Sequence, residues 1–73
     1  MPYLSDKELA EFKPIILSYL KTNDFISNRI LRKISQISYD EASYCFREMV
    51  KQRILKKVGN AGGTKYVLKK KTN

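Results

Sequence analysis

Arg29, Arg32, Lys33, Arg47 and Lys65 are interleaved with Ser38, Tyr39, Ser43 and Tyr44, a combination suited to holding polyanions. A guanidinium can clamp a phosphate or read a guanine edge, and a phenol ring can touch a thymine methyl group or a phosphate. The same tyrosines would serve equally as anchors in a protein interface, and the same cations as a solvated helix face. Catalytic chemistry is poorly provided for. The chain has no histidine, so the commonest general base and metal ligand is missing. Its one cysteine, Cys45, falls between apolar positions with no base to activate it and reads as a packing thiol. Asp40 and Glu41 read as a helix start that complements the helix dipole. Residues 59–65 invite comparison with a phosphate-binding loop, but the spacing is short, Thr64 precedes Lys65, and a strand rather than a helix follows. No enzyme, cofactor site or metal site is expected.

The charge distribution supports a polyanionic partner. Of 73 residues, 15 are Lys or Arg and 7 are Asp or Glu, a net +8. Up to Asp24, Lys7, Lys13 and Lys21 face Asp6, Glu8, Glu11 and Asp24. From Arg53 onward there are Arg53, Lys56, Lys57, Lys65, Lys69, Lys70 and Lys71 with no carboxylate at all. Such a gradient suits nucleic acid, although a basic tail on a neutral domain would produce it too. The length allows one small domain, and the 42% apolar content can supply its core. No stretch approaches the roughly 18 apolar residues of a membrane span, and the charged start is unlike a signal peptide. A single cysteine excludes an internal disulfide framework. The expectation is a cytoplasmic binding module with no membrane or small-molecule partner.

The elements that must position these residues follow from spacing. Ser5 and Glu8 have the capping-box separation, and Leu9, Phe12, Ile16 and Leu20, thickened by Ile15 and Leu17, recur at helical intervals. This predicts helix one over residues 5–21, kinked or divided near Pro14, where proline removes a donor and crowds the preceding turn. Ser27 caps a second helix over 27–35, with Ile30, Leu31 and Ile34 as its buried stripe. After a break at Ser35, Gln36 and Ile37, Ser38 and Glu41 repeat the capping-box spacing and open helix three, over 38–52, with Ala42, Cys45, Phe46, Met49 and Val50 inward. The period then shortens. Residues 54–58 and 64–68 are β-forming runs around a glycine-rich tip, which predicts a hairpin over 54–68 and a frayed basic tail over 69–73.

Helix, short strand, helix, tight turn, helix and hairpin form an α+β succession, three helices with a small antiparallel sheet, in the order of a winged helix-turn-helix domain. From about Ile15 to Leu68 the chain also resembles the winged helices at the C-termini of transcriptional regulators related to RecG-type ATP-dependent DNA helicases, and modules appended to Fic-type proteins. The resemblance is carried by Ile16, Leu17, Tyr19, Leu20 and Lys21, then Ile26 to Asn28, then Ile37, Ser38 and Ala42. It continues through Glu48, Met49, Val50, Ile54 and Leu55 to Val58, Gly59, Gly63, Thr64, Tyr66, Val67 and Leu68. It implies double-stranded DNA as partner, with helix three presenting Ser38, Tyr39, Ser43, Tyr44 and Arg47 to the major groove. Arg29, Arg32 and Lys33 would flank the backbone, and Lys65 with the hairpin tip would approach a neighbouring phosphate or the minor groove. Two departures stand out. Tyr39, Asp40 and Glu41 occupy a helix start where that family carries arginine, lysine or threonine, and Arg53 stands where it commonly has glycine. A net acidic third helix keeps a second class open, a protein-interaction or dimerisation module.

Overall fold

Each helix starts where a serine can satisfy the backbone donors that a first turn leaves free. In the computed structural model, which describes residues 4–59 and 63–69, Ser5 precedes α1 (Asp6–Thr22), Ser27 precedes α2 (Asn28–Ser35) and Ser38 precedes α3 (Tyr39–Lys51). Ser5 and Ser38 form complete capping boxes: the Glu8 and Glu41 backbone N–H groups donate to the serine Oγ atoms at 3.2 and 3.1 Å. The glutamates in turn accept from the serine N–H groups, both at 2.9 Å. Pro14 does not divide α1, which runs through it unbroken. Proline can offer no hydrogen to the Ala10 carbonyl one turn earlier, and its own position on the exposed side of the helix leaves that loss to be made up by solvent.

Tight left-handed residues make the two sharp turns that follow. Gln36, at φ 54°, closes α2 and donates its N–H to the Arg32 carbonyl at 2.8 Å, so only three residues separate α2 from α3. Arg53, at φ 63°, ends α3: its N–H donates to Val50 O and the N–H of Ile54 to Met49 O, both at 2.9 Å. This pair of bonds is the Schellman arrangement, in which glycine usually takes the left-handed position because it has no Cβ to crowd the carbonyl.

The chain then forms an antiparallel hairpin of β1 (Leu55–Val58) and β2 (Lys65–Leu68), with Lys57 opposite Tyr66. Gly59 leaves β1 at φ 84°, and a Cβ there would collide with the Gly63 carbonyl oxygen. The tip, residues 60–62, and the basic tail from residue 70 lie outside the described residues. On its other edge β2 pairs with a single residue of the α1–α2 connection: Ile26 N–H donates to Tyr66 O at 2.9 Å and Tyr66 N–H to Ile26 O at 2.8 Å. The architecture is α+β, three helices and a two-stranded sheet extended at one point by Ile26.

The core joins all these elements. Ile16 and Leu20 of α1, Ile26, Leu31 of α2, Ala42, Cys45, Phe46 and Met49 of α3, and Leu55 of β1 form one buried cluster together with Leu4. Phe46 has no exposure, and its ring lies against Tyr66 of β2 with centroids 4.2 Å apart and planes 8° from parallel. The expectation for Ile34 needs correction: it is 46% exposed, and Ile15 is 36% exposed. An eight-residue α2 has room to bury Leu31 and partly Ile30, but its last turn reaches past the core, and Ile34 instead joins Pro14, Ile15, Ser18 and Tyr19 on an open surface.

Two variants test this packing. Phe46→Ala removes the largest fully buried side chain and the face on which Tyr66 stacks; a loss of about 3 to 5 kcal/mol is expected, read as a fall in denaturation midpoint. Arg53→Gly relieves a left-handed residue while adding freedom to the unfolded chain. The expected balance is a gain of about 0.5 to 1 kcal/mol, seen as a Tm increase of several degrees.

Candidate nucleic-acid interface

The first turns of α2 and α3 are tied together by Asn28. Its Nδ2 donates to Ser43 Oγ at 2.8 Å and to the Tyr39 carbonyl at 3.1 Å, while its Oδ1 accepts from Arg32 Nε at 2.6 Å. One short side chain thereby ties the two helices together and holds the half-buried Arg32 beside Tyr39. The Arg32 guanidinium lies 5.5 Å from the centre of the Tyr39 ring, a cation–π contact that leaves Tyr39 61% exposed.

Two open clefts flank this junction. One, of about 440 Å³, lies between α3 and the hairpin and is lined by Asn28, Tyr39, Ser43, Arg47, Lys57 and Tyr66 among others. The second, of about 420 Å³, lies between the start of α2 and β2; its lining includes Phe25, Arg29, Arg32, Tyr39, Gly63 and Lys65. Asn28, Tyr39 and Thr64 line both, so the clefts form one continuous face. No carboxylate is among the described residues that line either cleft, whereas five cations are: Arg29, Arg32, Arg47, Lys57 and Lys65. Asp6 and Glu48 line a separate, smaller groove between α1 and α3. Glu41, from the acidic start of α3, is committed to the Ser38 capping box.

The structure brings together Arg29, Arg32, Tyr39, Ser43, Arg47 and Lys65 on this face. The other three candidate residues do not line the clefts. Lys33 is exposed on α2, Ser38 spends its hydroxyl on capping, and Tyr44 packs partly against the core with the Arg47 guanidinium 5.7 Å from its ring centre. Sequence reasoning missed Asn28, Lys57 and Phe25 as members of the face. For Lys57 a signal existed, because the hairpin register sets it directly opposite Tyr66. Phe25 was legible only as half of an apolar pair; it is 36% exposed, and Lys65 Nζ lies 4.3 Å from its ring centre.

The face offers hydrogen-bond donors, cations and aromatic rings. Among the described residues no group of His, Cys, Asp and Glu could hold a metal ion, and no helix is long and apolar enough to cross a membrane. The thiol of Cys45 is pushed up from 9.0 to about 11, first by burial and then by the charge of Glu41 one turn away. Burial, assisted by Tyr39, also raises the Tyr66 phenol above its ordinary value. No protein-family model matches the chain, and no curated protein or solved structure matches it either.

The raised thiol carries a pH signature. The folded domain keeps the Cys45 proton where the unfolded chain would release it, so the thiol has no effect on stability below about pH 9. As pH rises from there towards 11, stability falls, because only the unfolded state gains by ionising. Denaturant titrations should show that alkaline loss in the parent and a smaller one in Cys45→Ala.

Proposed function

We propose that this domain is a winged helix-turn-helix that binds double-stranded DNA, as a module of a transcriptional regulator or helicase-related protein. The observation that carries the reading is the continuous face built from α2, α3 and the hairpin, to which five cations and no carboxylate contribute among the described residues. In this reading α3 enters the major groove with Arg47 foremost, Arg29, Arg32 and Lys33 hold phosphates beside it, and the hairpin brings Lys57 and Lys65 to the flanking backbone. Phosphate contacts dominate affinity. Base reading is limited, because of the groove-facing residues only Arg47 has a bidentate geometry suited to a base edge. The domain itself is not an enzyme in this reading: the one thiol is buried and its pKa is pushed up, and among the described residues no carboxylate lines the basic face.

A second reading, a protein-interaction or dimerisation module on the same scaffold, is favoured by the open apolar surface of Pro14, Ile15, Tyr19 and Ile34. One experiment weighs the two. Five phosphate contacts release about four to five counterions, so log K for an arbitrary duplex should fall with log salt at a slope of roughly −4 to −5. Arg47→Ala should weaken binding by about 1 to 3 kcal/mol and flatten any base preference. A flat salt response, or no binding at low salt, rejects the DNA reading. Concentration-dependent sedimentation in that case would favour the second.

A further inference from the structure

Phe25 and Tyr39 are large aromatic side chains that belong neither to the buried cluster nor to the partly buried residues packed on it. A lone exposed ring is ordinary on a protein surface. Here, however, both rings line the same cleft, and each has a cation on one face: Lys65 at 4.3 Å from Phe25 and Arg32 at 5.5 Å from Tyr39. Arg29 lines the cleft as well, and no carboxylate does among the described residues. Duplex DNA has little use for such a pair, because its base faces are already stacked on one another. An unpaired strand offers what these groups bind: a free π-face for each ring, with a phosphate close by for each cation.

We infer that the cleft between the start of α2 and β2 takes an unpaired base of a DNA strand, stacked on Phe25 with its flanking phosphates on Arg29, Arg32 and Lys65, while Tyr39 walls the cleft on the side of α3. The inference deepens the proposed function and rests on it. The same face that holds a duplex through α3 continues, through Tyr39 and Thr64, into a seat for the strand that leaves the duplex. The preferred ligand is therefore a junction between paired and unpaired DNA.

The test compares four DNA probes by fluorescence anisotropy: a plain duplex, the same duplex with about six unpaired nucleotides at a 3′ or at a 5′ end, and an extension of equal length whose nucleotides are abasic. The extended duplex of one polarity should bind about five- to tenfold more tightly than the plain one. The abasic extension, which keeps every phosphate, should lose that gain. Phe25→Leu retains an apolar seat beneath Lys65 and removes only the aromatic face; it should bring the affinity for the extended duplex down to that for the plain duplex. In an NMR titration, the Phe25 ring protons should shift upfield with the extended probe alone. Equal affinity for plain and extended duplex overturns the inference and leaves duplex binding standing. So does a gain that survives in the abasic probe or in Phe25→Leu, since that gain is electrostatic only. Failure of every probe to bind at low salt would remove the DNA reading itself.

Discussion

The structure depends on Tyr66. Its backbone pairs with Lys57 on one edge and with Ile26 on the other, and its ring lies flat on Phe46 at the centre of the buried cluster. An isolated two-stranded hairpin is marginal in water and needs a third strand or a helix to hold it. Tyr66 provides both attachments from one position. The ring also lines the cleft beside Arg47 and Lys57, so the residue that fastens the hairpin to the helices forms a wall of the basic face. That face is only as well defined as the stack behind it.

The helices were legible because their signals are local. A serine and a glutamate three residues apart, followed by apolar residues at intervals of three and four, specify a capped amphipathic helix without reference to anything distant, and Ser5, Ser27 and Ser38 do stand before the three helices. Periodicity does not report where a short helix runs out of neighbours. Ile34 shares a stripe with Leu31 and still emerges at the surface. The face was legible in part, through its cations. Asn28 and Phe25 escaped because each acquires its role from a residue far along the chain, Asn28 from Ser43 and Phe25 from Lys65, whereas Lys57 faces Tyr66 across a single hairpin. Tyr66 itself reads in sequence as one more β-forming residue, and nothing local marks it as the partner of Phe46.

Serine placement also shows hydroxyls committed within the fold. Ser38 and Ser43 are five residues apart on one helix and looked equivalent as groove-facing groups, yet the first closes the helix start and the second receives the Asn28 amide. The acidic start of α3 loses much of its weight on the same grounds. Glu41 saturates a backbone donor, and neither it nor Asp40 is among the residues that line the clefts.

The Ile26–Tyr66 bridge joins the α1–α2 connection to β2, far apart along the chain. Closing so long a loop costs chain entropy, whereas the capped helices are built from contacts between neighbours. The bridge therefore requires the helices and the hairpin to reach a common geometry. The amides of Ile26 and Tyr66 exchange with solvent only through openings that separate the hairpin from the helices, so their protection reports the cohesion of the whole domain rather than of any single element.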